Sequence, residues 1–408
     1  MRIIRFLGED GRVHHGEEHG DGSATVLLDP MGVLGTPDPE LRQELFRGKH
    51  ALIADDDENM RRMMATVLTK VGCECTVVAD GAEAISAIRS EPLDLVVSDI
   101  IMPHHNGYEI FAAARQRREN IPILLVTGFG YDPGHTLLRA SREGLAAVLY
   151  KPFTPQQLLD ELDKAIHAAL KCPADALLRS DQRLMIRSVL APLEPRAIIR
   201  VGPDSRRGDA ATQAAAAGEL DVFLRPSTAV TCSGRAIPVP DPADGESRLE
   251  YHGELAIIIG ATARDLGEEE ARRSVLGYTA AFDVVARRGR PGREPAEWDL
   301  DEGPAPPCSL GPALVTCTEI DAPDRLGIRT TVNDTAVRDG STADLGRGIE
   351  SLISKLSRQM TLLPATVILV GPRAAGAAPA ALVSLKPGDE VAVEIDGIGR
   401  LVNRLVAT

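Results

Sequence analysis

Between residues 48 and 170, short apolar runs alternate with amphipathic stretches. The runs are Ala51–Ala54, Cys75–Ala79, Leu93–Ser98, Ile123–Thr127 and Ala146–Tyr150, and helical periodicity follows from about Glu58, Ala82, Tyr108, Pro133 and Pro155. Strands covered on both faces by crossover helices are apolar throughout, so this rhythm predicts a five-stranded parallel α/β unit. Residues 1–47 hold only two β-like runs, Ile3–Leu7 and Ala24–Leu28, between Gly, Asp and His turns. That is too little apolar surface to bury a core alone. Residues 171–186 read as a linker. Residues 187–408 are rich in Pro, Gly and Val, with helices predicted at Glu268–Leu276 and Arg347–Met360. Strands are predicted there at Leu255–Ile259, Arg329–Val332, Val367–Val370 and Glu390–Ile395, a β-rich mixed α+β pattern.

The 408 residues leave room for two or three domains. Against 45 basic side chains stand 59 acidic ones, a formal charge of −14 that repels a phosphate backbone. No helix-turn-helix signal or basic helix follows residue 170, so no nucleic-acid partner is expected. No apolar run approaches the roughly 18–20 residues of a membrane span. The opening MRIIRFLGEDG meets charge too soon for a signal peptide. Six scattered cysteines without a CxxC pair suggest reduced thiols, and a cytoplasmic location is expected.

Candidate chemistry gathers at strand ends. Asp55 and Asp56 close the first predicted strand of the α/β unit and Asp99 the third. In a doubly wound sheet such ends share one crevice, where three carboxylates repel one another unless a cation joins them. Hard oxygen ligands suit Mg²⁺. Thr127 ends the fourth strand and Lys151 follows the fifth, just before Pro152. A hydroxyl and an ammonium at that rim can hold the oxygens of a phosphoryl group on Asp99. Helix capping alone would explain one strand-end Asp, not five matched groups on four strands.

The pieces IADDDENMRRM, VVSDIIMPHHNGYE, ILLVTGFG and YKPFTPQQL resemble response-regulator receiver domains over about residues 48–170. The resemblance implies a flavodoxin-like fold, Mg²⁺ on Asp55, Asp56 and Asp99, phosphorylation of Asp99, and sensing of the phosphoryl group by Thr127 and Lys151. It also implies a sensor histidine kinase or phosphotransfer protein as partner. Met102, Pro103 and Gly107 fit the loop after the acceptor. One departure stands out: the usual aromatic switch position holds Val148, with Tyr150 two residues on. Ile101 and Phe129 are apolar neighbours of the site, expected to hinder attacking water.

The flanking segments together resemble the fumarylacetoacetate hydrolase family, split by the receiver. MRIIRFLGEDGRVHHGEEHGDGSATVL is similar to its small N-terminal β domain. SVLAPLEP, YHGELAIIIGATARDL, VLGYTAAFDV, SLGPALVT, RTTVNDTAVRDGSTADL, LSRQMTLLPATVILVG and LKPGDEVAVEIDGIGRLVNRLV follow in family order. The resemblance implies a divalent metal on a Glu-x-Glu pair and a later Asp, here His252, Glu254 and Asp283. The histidine shifts the expected preference from Mg toward Mn, Fe or Zn. The family's catalytic His falls at Gly208, its Lys at Glu302, and its Thr-Gly-Thr-Pro loop at Val370-Gly371-Pro372-Arg373. With no proton-transfer group at those places, a catalytically degenerate domain that acts by binding is expected. Homodimers are implied by the same resemblance.

Arg287, Arg288, Arg290 and Arg293 could clamp a small anionic ligand, although such a run also suits a solvated loop. His14, His15 and His19 are expected in a surface turn, and His104 and His105 in an exposed loop. The expectation is a response regulator with a hydrolase-like, binding output. The alternative is a phosphorylation-gated, metal-dependent hydrolase, decarboxylase or isomerase of a keto acid or 1,3-dicarbonyl compound.

Overall fold

The structure is a computed structural model that describes all residues except 30–31, 35–41, 129–144, 146, 171, 203–220, 240–246, 289–306, 346–347, 372–384 and 408. The chain divides into two compact units, Pro37–Lys171 and the combined segments Met1–Thr36 and Cys172–Thr408.

Three strands precede the first unit: β1 (Arg2–Gly8), β2 (Val13–Glu18) and β3 (Ser23–Leu28). The Pro37–Lys171 unit then contributes β4 (His50–Ala54), β5 (Glu74–Val78), β6 (Leu95–Asp99), β7 (Ile123–Thr127) and β8 (Ala147–Tyr150). They form a wholly parallel sheet in the order β5-β4-β6-β7-β8. Helices α1 (Glu58–Lys70), α2 (Gly81–Ser90), α3 (Gly107–Arg117) and α4 (Pro155–Ala169) connect or follow them. The predicted helix from Pro133 lies outside the described residues. Each of the first three helices starts at a side-chain cap, Asp57, Asp80 or Asn106, that accepts from orphan backbone N–H groups. Apolar stripes at helical spacing, such as Met64, Val67 and Leu68, bury one face. The chain order reverses at β4, opening a crevice between the carboxyl ends of β4 and β6. Strand β5 is an edge, so Val77 is exposed rather than covered on both faces.

The second unit continues with β9 (Leu178–Leu190), β10 (Ala197–Gly202), β11 (Asp221–Arg225), β12 (Val230–Cys232), β13 (Ala236–Val239) and β14 (Ser247–Ile259). Helix α5 (Glu268–Arg273) leads to β15 (Val275–Arg288), β16 (Cys308–Thr316), β17 (Gly327–Val332) and β18 (Thr335–Ser341). Helix α6 (Ile349–Gln359) precedes β19 (Thr366–Val370), β20 (Glu390–Ile395) and β21 (Gly399–Ala407). One sheet runs β11-β10-β19-β14-β15-β16-β1-β2-β3-β9, with β12 beside β16; the other runs β13-β21-β20-β17-β18. Ile257, Tyr278 and Phe282 of the first share a core with Ile328, Val393 and Leu401 of the second. Helix α6 adds Ile349, Leu352, Ile353 and Leu356 from one face.

Two expected boundaries shift. Residues 37–47 group with the α/β unit rather than the N-terminal strands. There Phe46 is fully buried and its carbonyl accepts from the Cys73 thiol at 3.3 Å. The expected linker 171–186 is largely β9, which pairs with β1 and with β3. Few of its side chains, chiefly Leu184, reach a core, so the stretch carries little apolar pattern.

Candidate functional site

The crevice at the end of β4 and β6 collects the expected acidic groups. Asp55 is fully buried, Asp99 nearly so, and Asp56 exposed. One oxygen from each lies within 4.8 Å of the others, the arrangement a hard cation requires. Asp57, not Asp55 or Asp56, caps α1, which leaves both preceding carboxylates for the crevice. Lys151 Nζ donates to Asp55 Oδ2 at 2.7 Å and makes a still closer contact with Asp99 Oδ2. Burial pushes the Asp55 carboxyl above the usual range, against the opposing hydrogen bond from Lys151. Burial pulls the Lys151 ammonium down, but its bonds to Asp55 and Asp99 outweigh this and leave it raised.

The backbone sets these positions. Lys151 N–H donates to the Thr127 carbonyl at 2.7 Å, tying the fifth strand's exit to the fourth. Thr127 is buried at the end of β7, on the strand next to Asp99. The amide of Ile101 donates to Asp99 Oδ1 at 3.1 Å, while the Ile101 side chain is 51% exposed. A Cβ on Gly107 would meet the Asp99 carbonyl at 2.8 Å, so the chain can return under Asp99 only with glycine there. Val148 is half-buried and Tyr150 exposed. His104, exposed, and His105, half-buried, sit in a loop near Asp80 and Glu109. Phe129 lies outside the described residues.

A second polar cluster lies in the β-rich unit, and strand register explains it. His252 of β14 pairs with Asp283 of β15, and Glu254 with Ala281. Arg225 of β11 pairs with Ile198 of β10, two residues before Arg200, and Arg200 pairs with Leu369 of β19. Leu369 in turn pairs with Ala256, two residues after Glu254. Side chains alternate along a strand, so Arg200, Arg225, His252, Glu254 and Asp283 share one face. Arg200 Nε donates to Glu254 Oε1 at 3.0 Å and stands 3.9 Å from Asp283 Oδ2; an Arg225 guanidinium nitrogen is 3.0 Å from Asp283 Oδ1. Burial pushes the Glu254 and Asp283 carboxyls above the usual range, outweighing the downward pull of Arg200 on the first and of Arg225 and Arg200 on the second. The Cys308 thiol, fully buried beside these charges, is pushed well above its ordinary value.

As placed, the implied metal set His252, Glu254 and Asp283 does not bring three ligand atoms close enough together to hold a divalent cation. Among the described residues, only Asp55, Asp56 and Asp99 bring three ligand atoms close enough together. Both carboxylates of the other set already face guanidinium groups. Sequence reasoning missed Arg200 and Arg225. Their signal was an arginine inside an otherwise apolar run, AIIRVG and VFLR.

Gly208, Glu302, Pro372, Arg373, Arg290 and Arg293 lie outside the described residues, as do the side chains of Arg287 and Arg288. His14 and His15 lie on β2 rather than in a turn; His14 meets Asp10 at 2.9 Å, and His19 meets Thr25 Oγ1 at 2.8 Å. No helix among the described residues is long and apolar enough to cross a membrane.

Residues 51–163 match the response regulator receiver domain, and residues 204–406 match the family described as fumarylacetoacetate (FAA) hydrolase, C-terminal. Oxaloacetate tautomerase fahd2, mitochondrial, of Xenopus laevis is 32% identical over 262 residues, 63% of this chain and 81% of that protein. A Mycobacterium tuberculosis protein is 32% identical over 218 residues, covering 53% of this chain and 78% of its own length. An uncharacterized protein of Staphylococcus epidermidis is 34% identical over 183 residues, 45% of this chain and 60% of its length. A solved 5-carboxymethyl-2-hydroxymuconate delta-isomerase from Mycobacterium smegmatis shares 30% identity at a TM-score of 0.45, over 56% of this chain and 87% of that one. The chain belongs to the fumarylacetoacetate hydrolase family, and it carries a response regulator receiver domain within the same polypeptide.

Proposed function

We propose that this protein is a response regulator phosphorylated on Asp99, and that its hydrolase-like unit is an output that works by binding rather than turnover. The convergence of Asp55, Asp56, Asp99 and Lys151 at one crevice carries the first half. A carboxylate oxygen of Asp99 attacks the phosphorus of a phosphohistidine on a sensor kinase or phosphotransfer protein. The new P–O bond forms as the P–N bond breaks, and the leaving imidazole takes up a proton. Asp55, Asp56 and Asp99 would hold Mg²⁺, which when bound neutralises phosphoryl oxygens. Lys151 offsets the negative charge at the acceptor, and Thr127 supplies a hydroxyl at the rim. The full chain treated with acetyl phosphate and Mg²⁺ should gain one hydroxylamine-labile phosphoryl group. Its loss in Asp99→Asn supports the assignment, and its persistence there rejects it.

A relative named as an oxaloacetate tautomerase favours a second reading, a phosphorylation-gated enzyme acting on a keto acid. Glu254 and Asp283 would then be its acidic groups. Oxaloacetate or acylpyruvate turnover that vanishes in Glu254→Ala would favour this reading over a binding output.

A further inference from the structure

We infer that Arg200 is a built-in cation that takes the place of a divalent metal in the β-rich unit, so that this unit is metal-independent. The inference deepens the reading of a binding output, and its test is independent of phosphorylation. Glu254 and Asp283 are 2% and 0% exposed, and two carboxylates so buried must be compensated. The group standing between them is the Arg200 guanidinium, 3.0 Å from one and 3.9 Å from the other. Arg200 is itself 5% exposed and Arg225 8%, so neither is a surface side chain that swings aside at no cost. Two carboxylates and two guanidinium groups already balance in charge. A divalent ion added here would bring two further positive charges into a buried place and would compete with Arg200 for the same carboxylate oxygens.

Register puts Arg200 and Glu254 on one face of the sheet whatever their rotamers. Arg200 is held on the shared face by parallel pairing of β10 with β19, and β19 is paired with β14, the strand that carries Glu254. Gly371, just past β19, adds to the fit: a Cβ there would meet Glu254 Cγ at 2.9 Å, so the chain closes over the carboxylate. An arginine can orient a carboxylate by hydrogen bonds but cannot accept two substrate oxygens as an electrophilic chelating ion does. Metal-polarised chemistry is therefore replaced by fixed charge.

The test counts bound Mn²⁺ on the full chain by loss of the free-ion paramagnetic resonance signal. Wild type should bind one Mn²⁺, at the receiver crevice, and Asp55→Asn/Asp56→Asn should bind none. Adding Arg200→Ala to that double variant should restore one Mn²⁺ per chain, and Mn²⁺ should raise its unfolding midpoint. A bound Mn²⁺ in the double variant with Arg200 intact overturns the inference, whether or not the Arg200→Ala chain folds. A folded Arg200→Ala chain that takes up no Mn²⁺ overturns it as well.

Discussion

Ile101 stands half open to solvent two residues after Asp99, with its amide bonded to the acceptor carboxylate. An apolar side chain there cannot orient a water for attack on phosphorus, whereas a carboxamide could donate to or accept from one. Ile101→Asn should therefore shorten the life of the acyl phosphate by about tenfold, the equivalent of ~1.4 kcal/mol of barrier. The decay of labelled phosphoprotein measures it, and equal lifetimes would show that Ile101 does not screen the site. At this scale the receiver chemistry was legible because strand-end position and residue type coincide at Asp55, Asp56, Asp99, Thr127 and Lys151. The other cluster was legible only in its acidic half. Glu254 and Asp283 stand where the family resemblance puts acids, but their partners Arg200 and Arg225 come from strands distant in sequence, Arg200 lying 54 residues from Glu254, and only register brings them together.

Elements were easiest to read where burial was one-sided or complete. The stretches Ala51–Ala54 of β4, Leu95–Val97 of β6 and Ile123–Val126 of β7 are apolar, and the helices between these strands begin at Asp57, Asp80 and Asn106 caps, so pattern and cap agree. Long strands with polar halves were harder. Only Leu255–Ile259 of β14 stood out, because SRLEYHGE before it lacks an apolar run. Strand β9 is hard to read for the same reason, as only Leu184 among its thirteen residues is buried. Its structural role rests on Leu184, packed with Ile4, Phe6, Ala24 and Val26. Leu184→Ala should lower the stability of the β-rich unit by about 2–3 kcal/mol, the cost of a lost core side chain with partial collapse. A urea melt followed by circular dichroism reports it. A change below about 0.5 kcal/mol, the range of a solvated position, would return this stretch to the status of a linker.

For the whole molecule, the pairing of β3 with β9 matters most. Leu28 at the end of β3 lies opposite Leu178 at the start of β9, so the chain leaves and re-enters the β-rich unit at adjacent points. The entire Pro37–Lys171 unit occupies the connection between two antiparallel neighbours, where a short hairpin turn would otherwise suffice. Both ends of the receiver are thus covalently tied to one strand pair. A phosphoryl-driven change in the separation or mobility of those ends would load that pair directly, without requiring any other contact. Saturating beryllofluoride with Mg²⁺ should then alter hydrogen exchange at Leu27, Leu28, Leu178 and Arg179, and the change should extend into residues 187–408. Asp99→Asn should abolish the effect, which separates it from a salt or metal effect. Unchanged exchange across both segments in the wild-type chain would mean that the receiver reports elsewhere and that the strand pair is only its anchor.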